Sequence, residues 1–162
     1  MWRFRPKIQP STQLNRDDKP MKTHIPLDQS LRKYRPWFLA AAIYNLIWGS
    51  VNALFPSLYF DLIGMPQPLY PALWQVVGMF VLVYAPAYWW ASQRPWTHRH
   101  LIYIGLLGKM LGPIGFVWSL IQGTLPLAFG WTILSNDLIW WPAFLLFLRD
   151  TVRLSNGTVA NP

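Results

Sequence analysis

LIYIGLLGKMLGPIGFVWSLIQ, residues 101–122, runs for twenty-two residues with a single charge, Lys109. At a rise of about 1.5 Å per residue, a helix of this length crosses the roughly 30 Å hydrocarbon core of a bilayer. Three more runs of the same kind flank it, at 37–55, 72–91 and 131–148. The first is free of charge and stops at Pro56. The second is preceded by Pro71, which suits a first helical turn, and contains Pro86, which predicts a kink. The fourth holds Asn136 and Asp137 and is closed by Arg149. The pattern predicts an all-α fold, a bundle of four transmembrane helices occupying 36–150. Between the first two spans, SLYFDLIG (57–64) is bracketed by prolines and predicts a short helix lying in the membrane interface.

Composition agrees with that reading. Charged residues make up 12% of the 162 positions and apolar residues 53%. Soluble domains carry about 25% charged residues, so this chain cannot dress an ordinary water-facing surface. Glutamate and cysteine are both absent. Without cysteine there is no disulfide, no thiolate metal site and no thiol chemistry carried by this chain. No phosphate-binding loop, dinucleotide fingerprint, Ser-His-Asp set or His-Glu-x-x-His motif occurs. His98 and His100 are two apart, so on a helix they would point to different faces, and without carboxylate or cysteine partners for the three histidines, His24 included, no metal site is expected.

The net charge of +8 is a matter of position rather than of nucleic acid binding, which is not expected. Nine of the fourteen Lys and Arg residues precede the first span, in a proline-containing stretch at 1–35 that predicts an extended or disordered cytoplasmic tail. Arg94 and Arg99 lie in the 93–100 loop, and Arg149 and Arg153 follow the fourth span. The other two loops have none. Every Lys or Arg outside the spans therefore falls on one side, which places both termini, including a short tail at 151–162, in the cytoplasm of an inner-membrane protein. The basic apron also predicts contact with anionic lipids. Met21 offers a second start, in which case residues 1–20 are not part of the mature protein.

Lys109 and Asp137 are the most informative residues. A charge at mid-bilayer costs on the order of 2.5–3.5 kcal/mol on insertion scales, so such residues face the bundle interior and find partners. The third and fourth spans are consecutive and should lie antiparallel. They predict a Lys109–Asp137 ion pair, direct or through water; the alternatives are a pair that only fixes helix register, or a Lys109 that snorkels to the inner surface. Asn45, Trp48 and Asn52 recur at i, i+3 and i+7 on the first span, and Gln75 sits near the depth of Asn52 on the second. Trp140 lies one turn beyond Asn136, and Trp141 one turn beyond Asp137. Together these predict an intramembrane polar site of Lys109, Asp137, Asn136, Asn45, Asn52, Gln75, Trp48 and Trp140, although any single buried amide is often a mere cross-link worth about 0.6 kcal/mol. Pro113 should free a carbonyl near Lys109. Gly105, Gly108, Gly112 and Gly115 form a small-residue face on the third span, for packing against a neighbouring helix or a second copy.

The runs YNLIWG (44–49), LWQVVGMF (73–80), GLLGKMLGPIGF (105–116) and FGWTILSNDLIWWPAF (129–144) resemble small, mostly bacterial four-helix membrane proteins grouped loosely with the DoxX-like proteins. The resemblance covers about 36–150 and includes Lys109, Asn136 and Asp137. It implies a four-helix membrane bundle; similarity to DoxX-type subunits would imply a quinone-linked partner. Some relatives carry the label alkyl hydroperoxide reductase, and this chain lacks the cysteine that such peroxide reduction requires.

The reading that follows is a non-enzymatic module that holds a small amphiphile, a lipid or a quinone, in an intrabundle cavity, or that serves as accessory subunit of a larger membrane complex or as a homodimer. The rival readings are an enzyme in which Lys109 and Asp137 handle protons for a membrane-soluble substrate, and a small transporter.

Overall fold

A computed structural model describes residues 27–159. They form seven α-helices with three single turns of 3-10 helix and no strand: α1 (Leu27–Ser30), α2 (Arg35–Leu54), α3 (Leu58–Leu62), α4 (Pro71–Gln93), α5 (Arg99–Ile121), α6 (Gly130–Asn136) and α7 (Trp141–Val159), with 3-10 turns at Arg32–Tyr34, Leu127–Phe129 and Leu138–Trp140. Four segments, Arg32–Leu54, Pro71–Gln93, Arg99–Ile121 and Leu127–Asn156, are long and apolar enough to cross a membrane. The fold is the expected all-α four-helix bundle.

The ends of the helices alternate. At one end Tyr34 donates to the Asp150 carboxylate at 2.7 Å, and Lys33 pairs with the same group. There Arg35 also donates to the Ser92 carbonyl, and Asp28 accepts from the Trp96 backbone N–H. The start of α2, the end of α4, the start of α5 and the end of α7 therefore meet, and the basic residues of those segments gather with them. At the opposite end the short helix expected within SLYFDLIG is present as α3, which follows α2 and precedes α4 in the chain. Gly64 and Gly123 adopt positive φ, and each closes its helix with a six-to-one bond, Met65 N–H to Phe60 O and Thr124 N–H to Ser119 O.

Three layers stack along the bundle. Near the termini, Phe38, Phe144, Phe147 and Tyr88 form a dry core with edge-to-face rings. Near the loops, Trp48, Tyr59, Trp74 and Phe129 form a second aromatic cluster. The middle layer is polar. Outward-facing positions are the reverse of a soluble protein: Ile43, Leu46, Phe80, Val83, Leu107, Leu111 and Ile114 are all exposed. Water would oppose a continuous apolar belt of that kind, whereas lipid does not.

Three boundaries differ from the sequence reading. Residues 27–34, assigned to the 1–35 tail, fold onto the bundle because Leu31 and Tyr34 are apolar anchors buried in the terminal core; 1–26 lie outside the described residues. Residues 151–159, assigned to the second tail, continue α7, with Thr151 buried under the Tyr103 hydroxyl. The fourth span is not one helix. It breaks at Asp137, whose φ of −119° and ψ of −64° depart from the helix, and passes through the 3-10 turn before α7 resumes. Pro142 explains the break, since it supplies no N–H to Leu138 and its ring opposes helical continuation. The carbonyl of Leu138 is met by Trp141 N–H instead.

Candidate functional site

The break is the centre of the site. A carbonyl released inside hydrocarbon must find another donor, at a penalty of several kcal/mol otherwise. Here each one does. Trp140 Nε1 donates to Ser135 O, Trp140 N–H donates to Asp137 O, and Lys109 Nζ donates to Asn136 O. Pro113 likewise leaves the Lys109 carbonyl without its helical partner four residues on, and Trp141 Nε1 fills the vacancy at 3.1 Å. The carbonyl freed by Pro113 thus becomes a cross-link from α5 to α7. Replacing Trp141 by Phe keeps an aromatic ring but removes this donor along with part of the indole; the bundle should lose at least about 1 kcal/mol. If Trp141→Phe unfolds at the wild-type midpoint in a detergent titration, the indole is not serving that carbonyl.

Lys109 is 5% exposed, Asp137 5% and Asn45 2%. All three, with Asn136, line a cavity of about 150 Å³ at mid-helix level, walled by Phe80, Tyr84 and Tyr88 of α4 and by Gly105 and Gly108 of α5. Lys109 lies ten residues beyond Arg99, about 15 Å into the span. Its ammonium sits 5.9 Å from the Tyr88 ring and 5.8 Å from the Trp140 ring. Asn136 Nδ2 donates to the Asp137 carboxylate at 3.0 Å. Phe80 and Gly108 are exposed on the outer face, so the cavity opens sideways between α4 and α5.

Lys109 and Asp137 share the cavity without a direct ion pair; among the described residues the ion pairs are Lys33–Asp150 and Arg149–Asp150. The helix break turns the Asn136 carbonyl toward Lys109, and that carbonyl takes the ammonium in place of the carboxylate. Nor does Lys109 snorkel to the surface, since it stays buried.

The predicted site residues divide into two groups. Lys109, Asp137, Asn136 and Asn45 come together, with Trp140 beside Lys109. Trp48, Asn52 and Gln75 do not join them. Asn52 accepts from Trp74 Nε1 and donates to the Trp48 carbonyl, both at 2.7 Å, while Gln75 donates to the Ala53 carbonyl. These amides tie α2 to α4 near the loop end. Trp48 and Asn52 instead border a separate cavity of about 260 Å³ with Tyr44 and Tyr59, between α2 and α3.

Two of the four glycines of α5, Gly105 and Gly112, accommodate side chains rather than a neighbouring backbone. A Cβ on Gly105 would lie 2.5 Å from the Tyr88 hydroxyl, and one on Gly112 would overlap the Asp137 carboxylate. Gly108 faces open cavity with only the Tyr84 hydroxyl at 3.7 Å, and Gly115 faces open space. The close backbone approach falls elsewhere, at Gly49 of α2 and Gly78 of α4. Sequence reasoning missed Tyr84 and Tyr88, although their i, i+4 spacing puts both on one face of α4. It also missed the break, whose signal was Pro142 following Ser135-Asn136-Asp137.

Among the described residues, three buried side-chain polar atoms have no hydrogen-bond partner: Asn45 Oδ1, Asn136 Oδ1 and the Tyr44 hydroxyl. Two of the three belong to residues lining the Lys109 cavity. Among the described residues no cluster of His, Cys, Asp or Glu could hold a metal ion. No family model, curated protein or solved structure matches the chain.

Proposed function

We propose that this chain is a membrane-embedded binding module that takes a small amphiphile, a lipid or a quinone, with its head in the Lys109 cavity and its tail leaving between α4 and α5. The observation that carries the reading is the pair of unsatisfied amide oxygens, on Asn45 and Asn136, beside a buried ammonium in a cavity with a side opening. Buried polar groups are nearly always satisfied, and those that are not call for an occupant or a function. An aromatic-walled pocket with a few convergent polar groups is the usual form of a small-molecule site. In this reading the basic end of the bundle lies in the cytoplasm, the membrane is the inner membrane, and the DoxX-like proteins are its kin.

Native mass spectrometry from mild detergent tests the proposal. A co-purifying amphiphile on wild-type protein is the expected result. Gly108→Leu should remove it without unfolding the bundle, because that position has space for a Cβ and its side chain would fill the opening. Retention of the same molecule by Gly108→Leu would exclude the cavity as its place; an empty wild-type protein would leave the reading without support.

A further inference from the structure

Resting on that reading, we infer that the head group is a neutral hydroxyl on a single six-membered ring, a phenol carrying an apolar chain, rather than a phosphate or a bare carbonyl. Size comes first. A cavity of about 150 Å³ is what one benzene-sized ring occupies. Tyr84, Tyr88 and Phe80 offer the flat apolar walls that a ring prefers.

Hydrogen-bond capacity comes second. Asn45 Oδ1 and Asn136 Oδ1 are acceptors without a donor, and the Asp137 carboxylate adds further acceptor oxygens to the same lining. Lys109 Nζ has three protons, and its one hydrogen bond goes to the Asn136 carbonyl. The site is therefore short of donors at its amides and has spare donors at its lysine. A hydroxyl meets both needs at once: its oxygen accepts from Lys109 and its proton goes to an amide oxygen. A quinone carbonyl accepts only, so it leaves both amide oxygens as they are. A fully ionised phosphate also accepts only, and a phosphate in any ionised form brings negative charge against Asp137.

The test uses the full chain in phosphatidylcholine nanodiscs, titrated with 4-octylphenol, its methyl ether, octyl-benzoquinone and octyl phosphate, and read by tryptophan fluorescence. The phenol should bind about tenfold more tightly than its methyl ether, or better, because the ether cannot supply the proton that a buried acceptor lacks. Asn45→Leu should bring the phenol down to the level of the ether and leave the ether unchanged. The wild-type series is decisive even if that variant does not fold. Equal affinity for phenol and ether, or preference for the quinone or the phosphate, overturns the hydroxyl assignment; if Gly108→Leu then abolishes the binding that is seen, the cavity reading stands without it. Indifference of every probe to Gly108→Leu, or no binding at all as for a cavity filled by water alone, overturns both.

Discussion

Lys109→Met is expected to cost the bundle about 3–5 kcal/mol, the range seen when one member of a buried charged set is removed. Methionine keeps the length and apolar stem, so the loss comes from two groups left behind. The Asn136 carbonyl, exposed by the helix break, no longer has a donor. The Asp137 carboxylate, 5% exposed, is left in the cavity without a cation. Adding Asp137→Asn removes that lone charge and should restore part of the stability. It should not restore all, because the orphaned carbonyl still costs about 1–3 kcal/mol. Unfolding in dodecyl sulfate mixed micelles measures all three proteins. A single mutant as stable as wild type would mean that Lys109 neutralises neither group. A double mutant fully restored would mean that the carbonyl bond contributes nothing.

Gly78→Ala should be the most damaging change of a single methyl group. Its Cβ would lie 2.5 Å from the Ala53 nitrogen and 2.8 Å from the Asn52 carbonyl carbon, and the reciprocal position, Gly49, would meet the Leu82 nitrogen at 2.7 Å. These are backbone atoms, so no rotamer change relieves the overlap. Separating α2 from α4 would also strain the Asn52–Trp74 and Gln75–Ala53 bonds on the loop side of the crossing. The cost should reach the top of the about 1–3 kcal/mol typical of overpacking, or exceed it. Gly115→Ala is the control. It meets nothing within 4 Å, and should stabilise α5 by up to about 1 kcal/mol through helix propensity. Equal midpoints for the two variants would remove the claim that α2 and α4 touch backbone to backbone.

Much of the candidate site was legible because intramembrane charge is so costly that its few bearers stand out in the sequence. Lys109, Asp137, Asn136 and Asn45 were found that way, and they share one cavity. Asn52 and Gln75 carried the same polar signal and turned out to lie in a different layer, tying α2 to α4. Periodicity and depth could not separate them, since both describe one helix at a time. The choice of partner for Lys109 was equally hidden. A carboxylate attracts an ammonium more strongly than a carbonyl does, yet Asn136 offers its carbonyl nearer because the chain leaves the helix there.

The sequence by itself determined four spans, their alternation, and the clustering of basic residues at one end. These follow from the length and polarity of each segment against the thickness and dryness of a bilayer, which act on every segment separately. Only the tertiary structure decided that α2 and α4 cross at Gly49 and Gly78, that the fourth span breaks, and that Trp141 and Lys109 repair the carbonyls freed by Pro113 and the break. Those are matters of which donor reaches which acceptor across helices, and such distances depend on how all four helices pack together.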